Sequence, residues 1–296
     1  MSKNAKVWTA LVTVYVIWGS TYLGIYYAGK TIAPLFAVST RFITAGLLMT
    51  LIVVVVRHGT LRMRRMELFS CAVVGCLLPG ANAVLFFAER NVPTGLASLI
   101  IASVPLWVMV LRLGVGRERL PWPVLAGVGI GFAGVAVLAQ PSGGAKSWGI
   151  ALCVLSALMW STGSFLSSRL PMPGDPFAAT AIEMLTGGFV MLPFAVFTVH
   201  HFAPSTQSII GWIYLVTFGS IIGYTAYVWL LANAPLGLVS TYAYVNPVVA
   251  ITLGVIFRGE NLTWRLLIGA VIVVVAVAAV VRREPPAATI PEEGVR

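Results

Sequence analysis

The 296-residue sequence has few charged side chains. Asp, Glu, Lys and Arg together make up 9% of it, and only nine residues are acidic. Soluble domains carry about 25% charged residues, so this chain lacks the polar surface that a soluble fold presents to water. The scarcity of charge excludes an ordinary soluble enzyme or binding domain.

Cysteine, histidine and the usual catalytic motifs are also scarce. Cys71, Cys76 and Cys153 lie inside apolar runs, with neither disulfide nor metal-ligand spacing. The three histidines lie in loops without ligand spacing, and H-E-x-x-H, G-x-S-x-G and Walker A sequences are absent. We therefore expect no catalytic residues, no metal site, no cofactor and no ATP drive.

Long hydrophobic runs fill the rest of the sequence. Hydrophobic residues make up 59% of it, and its mean hydropathy is +0.94. These values predict an all-α integral membrane protein whose apolar surface contacts the lipid bilayer. The net charge of +10 comes from short basic runs between apolar spans, which argues against a nucleic-acid partner.

The apolar runs predict ten transmembrane helices, because about 20 residues cross a bilayer. We place them near 7–27, 34–56, 68–88, 94–113, 121–140, 148–168, 177–199, 208–231, 236–257 and 264–281. The Pro-rich tail, residues 284–296, is predicted to be disordered.

The two halves of the chain resemble each other at a constant offset of 142 residues without a gap. Matching residues include Asn91 with Asn233, Pro105 with Pro247, Glu118 with Glu260 and Trp18 with Trp160. Two repeats follow, residues 1–143 and 144–283. Because each has five predicted spans, an odd number, the second repeat should be inverted in the membrane, as in many secondary transporters.

The basic residues of the loops predict the orientation. With a cytoplasmic N-terminus, twelve Lys and Arg residues fall inside and five outside. This bias places both termini in the cytoplasm.

Two charged residues lie deep in predicted spans, Arg41 and Glu183, and they occupy equivalent repeat positions. A charge at that depth costs about 2.5 to 3.5 kcal/mol, so each needs a partner or a wet cavity. Arg41 could anchor a carboxylate, and Glu183 could hold a proton or an amine. In the alternative interpretation both are local structural charges that bond a neighbouring carbonyl or extend to the interface.

Two prolines are predicted to interrupt equivalent helices. Pro105 and Pro247 free the carbonyls of Ile101 and Ala243, which are tolerated at membrane depth only in a protein interior or a cavity. Tyr242, Tyr244 and Asn246 surround Pro247, whereas the equivalent first-repeat residues are mostly apolar. This asymmetry favours ligand recognition, with interhelical hydrogen bonding as the alternative.

Other residues are weaker candidates for the site. Trp18 and Trp160 occupy equivalent positions among small hydroxyl residues, for which helix packing is favoured, and Tyr224 could add an aromatic wall. Gly127 and Gly131 could support either a homodimer interface or an internal helix contact.

Several segments make the chain resemble EamA-type transporters of the drug/metabolite transporter superfamily, in particular their YedA-like branch. The segments are WGSTYLGI from Trp18, the RF pair at Arg41, NVPTGLASLI from Asn91, AIEMLTGG from Ala181, FGSIIGY from Phe218 and TYAYVNPVVA from Thr241. The resemblance implies ten helices in two inverted repeats. The first four helices of each repeat would enclose a central cavity, and the fifth would lie at the periphery.

The sequence thus predicts a secondary transporter of the bacterial inner membrane that exports small metabolites, including amino acids or drugs, by alternating access. Its site would comprise Tyr242, Tyr244, Asn246, Arg41, Glu183, Trp18, Trp160 and Tyr224. A scaffold or sensor is the main alternative, and an intramembrane enzyme is the weaker one.

Overall fold

A computed structural model describes residues 3–138, 145–199, 203–234, 236–239 and 241–282, and the described residues form helices and loops without a strand. The predicted repeat boundary at 143/144 and the predicted disordered tail lie outside these residues.

The described residues of the first half form six α-helices. They are α1 (Lys3–Ala28), α2 (Pro34–Leu51, continued by the π-helical turn Ile52–Val56), α3 (Arg65–Glu89), α4 (Thr94–Ile101), α5 (Val104–Gly114) and α6 (Trp122–Leu138).

The second half repeats this order with local differences. It contains α7 (Ser147–Ser167), α8 (Pro176–Phe197), α9 (Thr206–Tyr214), a π segment (Leu215–Tyr224), α10 (Thr225–Asn233), α11 (Leu236–Val239), α12 (Tyr242–Arg258) and α13 (Trp264–Arg282).

Residues with clear local preferences begin and end these helices. Asp175 caps α8 by accepting a hydrogen bond from the Phe177 amide, and Pro176 occupies the first turn, where its missing N–H costs nothing. At the C-terminus of α12, Gly259 adopts a left-handed conformation with φ of 63° and ends the helix.

Seven of the described helical segments are long and apolar enough to cross a membrane. They are Asn4–Ala28, Pro34–Val56, Arg65–Glu89, Thr94–Gly114, Ser147–Ser167, Pro176–Phe197 and Thr206–Asn233. Shorter apolar helices, Trp122–Leu138, Val245–Arg258 and Trp264–Ala276, occupy the other three predicted positions. The chain is therefore a multi-pass helical membrane protein, and the count of ten spans stays a prediction.

The predicted span 94–113 is not one continuous helix. The chain leaves the helical path at Ala102 and Ser103, so that Pro105 lies in the first turn of α5 rather than in a helix interior. Proline fits a first turn and clashes inside a helix, which explains where the break occurs. In the second half, by contrast, Pro247 lies inside α12.

The two halves interlock along their length. Helix α2 packs against α8 and α6 against α13, two pairs in which each helix contacts its repeat equivalent, and α4 packs against α12, the equivalent of α5. Helix α3 packs against α7 and, in the exchanged arrangement, α1 packs against α9. The contacts between halves therefore follow the 142-residue offset.

A glycine allows a close crossing of α3 and α8. A Cβ atom at Gly75 of α3 would collide with the Glu183 carbonyl and the Thr186 hydroxyl of α8. This contact brings the backbone of α3 directly against the part of α8 that carries Glu183.

Candidate functional site

A cavity lies among the helices of both halves. Its lining residues come from α1 to α4, α7, the π segment and α12: Trp18, Thr21, Tyr22, Ile25, Arg41, Asn82, Leu85, Ile101, Ser156, Trp160, Gly219, Tyr224, Tyr242 and Asn246. It leaves about 60 Å³ for the centres of water-sized molecules. Since one water needs about 10–15 Å³ by this measure, the cavity has room for a few waters or part of a small ligand.

Aromatic rings form one wall of the cavity, and Trp18 is at their centre. Its ring centroid lies 5.3 Å from that of Trp160, 4.8 Å from that of Tyr227 and 5.5 Å from that of Tyr242. The Trp18 indole N–H donates to the Gly219 carbonyl at 3.2 Å, which fixes the ring against the π segment. Such a wall suits an apolar ligand group or a cation, which aromatic faces attract.

Arg41 supplies a positive charge to the cavity. It is only 3% exposed, its Nε donates to the Ser220 hydroxyl at 2.8 Å, and one terminal nitrogen donates to the Asn82 side-chain oxygen at 3.5 Å. Its guanidinium also lies 4.8 Å from the centre of the Phe42 ring. Among the described residues no carboxylate pairs with Arg41, so its charge is available to an anionic ligand group.

Glu183 lies behind the aromatic wall rather than on the cavity surface. It is 1% exposed, and one carboxylate oxygen accepts a hydrogen bond from the Tyr224 hydroxyl at 2.7 Å. Tyr224 itself lines the cavity. Glu183 can therefore act on a ligand through Tyr224, by making the hydroxyl oxygen a better acceptor.

Arg41 and Glu183 do not pair with each other among the described residues; each bonds a side chain at the same repeat position, Asn82 and Tyr224 respectively. Asn82 and Tyr224 are separated by the same 142-residue offset as Arg41 and Glu183. Each charge thus bonds the matching side chain of its own half, and the π segment joins them, because Ser220 contacts Arg41.

Asn246 has a structural role alongside its place at the cavity. With its amide nitrogen assigned toward the neighbouring carbonyls, it donates to Tyr15 of α1 at 3.1 Å and to Tyr242 at 3.2 Å. This tether between α1 and α12 fits the alternative of interhelical hydrogen bonding. The side chain of Tyr244 lies outside the described part of the chain.

The structure thus brings Trp18, Arg41, Trp160, Tyr224, Tyr242 and Asn246 to one cavity, with Glu183 one hydrogen bond away. Pro105 and Pro247 do not line it, although Ile101, just before the first break, does. Helices α6 and α13 contribute no lining residue. Gly131 of α6 instead makes an internal contact, since a Cβ there would meet Leu106 and Ala276.

Sequence reasoning missed two polar residues and favoured helix packing for a third. Ser220, which bonds Arg41, and Glu89, a buried acid at the end of α3, were missed, and Tyr22, for which packing was favoured, lines the cavity. Ser220 could have been found by asking which hydroxyl satisfies the buried guanidinium. Glu89 was missed because the predicted span ended one residue before it. The described residues contain no group of acids, histidines and cysteines that could hold a metal ion.

Comparison with protein families gives two matches to one family. The model of the EamA-like transporter family matches residues 6–140 and again residues 147–282.

Several relatives are similar over almost their whole length. An inner membrane transporter of unknown specificity, YedA of Escherichia coli strain K12, is 35% identical over 275 residues, which cover 89% of this chain and 87% of YedA. A transporter of Archaeoglobus fulgidus is 25% identical, covering 90% of this chain and 95% of that protein. A probable terminal-alkyne amino-acid exporter of Streptantibioticus cattleyicolor is 27% identical, covering 92% of each.

A solved crystal structure shares the fold. It superimposes with a TM-score of 0.67 at 20% identity and covers 94% of this chain and 96% of its own. At that identity the likeness concerns the fold alone.

Proposed function

The chain belongs to the EamA-like transporter family and is a membrane transporter, and on this premise we propose that it exports a small metabolite across the bacterial inner membrane by alternating access. The observation that carries the proposal is the cavity between the halves, which is lined by aromatic rings and by Arg41, an arginine that pairs with no carboxylate of the described residues.

We propose ten spans in two inverted repeats. The support is the double family match, the ten apolar helical segments at the predicted positions, and helix contacts that follow the repeat offset. Five spans per repeat place the N-termini of the repeats on opposite sides, and the loop charges favour cytoplasmic termini. In this arrangement the ends of α3 and α12 and the start of α4 face outward.

The substrate we propose carries a carboxylate, an amine and an apolar body. Arg41 would bind the carboxylate, because a guanidinium can form two charge-assisted hydrogen bonds to it. The Tyr224 hydroxyl, which its hydrogen bond to Glu183 makes a better acceptor, would accept a hydrogen bond from the amine. Trp18 and Trp160 would contact the apolar part of the substrate. An amino-acid-like metabolite fits this pattern, and the relative from Streptantibioticus cattleyicolor, a probable amino-acid exporter, supports the same substrate class.

The scaffold and enzyme alternatives lack comparable support. A scaffold has no need of a charged cavity between its halves, and the described residues contain no acid pair or Ser/His pair at the cavity of the kind an intramembrane hydrolase uses. A homodimer stays a prediction without an assigned interface, since Gly131 is used inside the molecule.

Counterflow tests the proposal. Proteoliposomes are loaded with a pool of unlabelled amino acids and small metabolites, and uptake of the radiolabelled pool is followed. We expect accumulation with wild type and a loss of about 10-fold or more in Trp160→Ala, because the ring lies in the cavity wall. Trp148→Ala is the matched control, since Trp148 lies on the same helix and is 49% exposed. Absence of counterflow for every solute, or equal loss in both variants, would contradict the proposed site.

A further inference from the structure

A carboxylate fastens the end of α12 to the start of α4. The two oxygens of Glu260 accept hydrogen bonds from the backbone amides of Thr94 at 2.7 Å and Gly95 at 3.0 Å. Arg258 pairs with Glu260 at 2.6 Å and also donates to the Thr94 hydroxyl. We call these four residues the latch. Because a helix N-terminus attracts negative charge, the latch is a strong, localised interaction between the two halves.

The latch also holds the first helix. The Arg258 guanidinium lies 3.8 Å from the centre of the Tyr26 ring of α1. Opening the molecule at this end, which separates α12 from α4, therefore requires the bonds of Glu260 and Arg258 to break.

Glu89 precedes Thr94 of the latch by five residues and is buried. It is the last residue of α3 and is 4% exposed, and among the described residues nothing bonds either of its side-chain oxygens. Burial without a partner opposes an ionised carboxylate, and so does the negative end of the helix dipole. Both conditions favour the neutral, protonated form of the Glu89 carboxylic acid in this conformation.

The groups around Glu89 connect it with both the latch and the cavity. The charged groups that act on it electrostatically are Arg258 and Glu260. The other titratable groups facing it are the Tyr22 hydroxyl of α1 and the Cys153 thiol of α7. Arg258 is thus the cation that acts on Glu89 from α12, and it is already paired with Glu260. Tyr22 also lines the cavity, so Glu89 interacts electrostatically with groups of both the cavity and the latch.

We propose that Glu89 is a proton-binding site that controls the latch. With the proton bound, Arg258 remains with Glu260 and the latch holds. When Glu89 gives its proton to water, its carboxylate competes with Glu260 for Arg258 and repels Glu260 in a medium of low dielectric constant. The amides of Thr94 and Gly95 then lose their acceptor, and α12 can move away from α4.

This inference deepens the proposed export function and rests on it for its direction. In the proposed topology the latch faces outward. A proton arriving from outside would close this end after release of the substrate, and loss of the proton inside would allow it to reopen. Proton entry would then be coupled to substrate exit. The only chemical change at Glu89 is the gain or loss of this proton.

The test measures the latch without any substrate, so it is independent of whether transport has been detected. Spin labels are placed at Ser147→Cys and Asn261→Cys, both exposed positions at this end of the molecule, after replacement of the three native cysteines by alanine. Their distance is measured in lipid nanodiscs at acidic and at alkaline pH. We expect a short distance at acidic pH and a shift to longer distances at alkaline pH.

Variants assign the response to Glu89. Glutamine at position 89 resembles the neutral acid, so the distance between the spin labels in Glu89→Gln should stay short at both pH values. In Glu260→Gln the distance should be long at both pH values. Glu67→Gln is the control: it lies at the opposite end of α3, where its carboxylate accepts a hydrogen bond from the Arg64 amide, and it should respond like wild type. The proposal is overturned if the distance in the wild type does not change with pH, or if it still changes with pH in Glu89→Gln.

Discussion

Arg41 is the residue on which the proposed substrate class depends most. A guanidinium without an acidic partner costs free energy in a membrane protein, and here neutral oxygens of Ser220 and Asn82 hold it in place. Those two contacts orient the group but leave its charge unbalanced. A carboxylate ligand would balance the charge.

We expect Arg41→Lys to raise the KM for a carboxylate substrate by about 10- to 100-fold, because an ammonium cannot donate to both Ser220 and a carboxylate in the same planar geometry. Arg57→Lys is the control, since Arg57 forms a half-exposed ion pair with Asp175 at 2.9 Å and such pairs contribute little. Concentration-dependent counterflow measures both. An unchanged KM in Arg41→Lys would remove the carboxylate from the proposed substrate.

Glu183 is expected to act on the amine of the substrate through Tyr224. Glutamine at this position can still accept the Tyr224 hydrogen bond but carries no charge. We therefore expect Glu183→Gln to weaken binding of an amine-containing substrate by about 10-fold, to leave an analogue without the amine unaffected, and to keep the pH dependence of uptake.

Comparison with Glu89→Gln separates the two buried acids. Uptake into inside-out vesicles at several pH values should lose its pH dependence in Glu89→Gln alone. Loss of the pH dependence in Glu183→Gln instead would identify Glu183 as the proton carrier and contradict the role proposed for Glu89.

Among the structural elements, the crossing of α3 and α8 leaves no space for an added side chain at Gly75. Gly75 allows the two backbones to touch, and Glu183 lies at that point of α8. Gly75→Ala should therefore lower stability by about 1–3 kcal/mol through overpacking, seen as a lower thermal unfolding midpoint in detergent. Gly129→Ala, where a Cβ would meet nothing within 4 Å, should keep the midpoint or raise it slightly. Equal midpoints for the two variants would contradict the close crossing.

The two equivalent prolines should differ in their effect because they occupy different helix positions. Pro247 lies inside α12, so Pro247→Ala restores a backbone donor there and should raise stability by up to about 3 kcal/mol while slowing counterflow. Pro105 lies in the first turn of α5, so Pro105→Ala should change stability little. Unfolding midpoints and counterflow rates measured side by side test this difference, and equal effects of the two substitutions would contradict it.

At the scale of the whole molecule, hydropathy and the internal repeat predicted where the helices lie and that the chain is a membrane transporter. They also selected Arg41, Trp18 and Trp160, since charge and equivalent position are visible in a sequence. The break before Val104 and the hydrogen bond from Arg41 to Ser220 were not predicted, because helix packing decides which way a side chain faces. Glu89 was missed because helix ends are set by tertiary contacts as well as by hydropathy.

The repeat offset predicts the opposite conformation of the transporter. Glu118 is the repeat equivalent of Glu260, but here it pairs with Arg112 at 2.8 Å and with Arg169 instead of capping a helix. Alternating access between inverted repeats exchanges the conformations of the halves. In the exchanged state Glu118 should bind the amides of Leu236 and Gly237, which are equivalent to Thr94 and Gly95.

Removal of either glutamate should therefore shift the conformational equilibrium in opposite directions. At alkaline pH the spin-label pair at positions 147 and 261 should report longer distances in Glu260→Gln than in wild type, because the latch at this end is lost. It should report shorter distances in Glu118→Gln, because the state in which Glu118 would cap a helix loses that contact. A shift of both variants in the same direction would show that the two glutamates do not act as alternating contacts, and the exchange of conformations between the repeats would have to involve other residues.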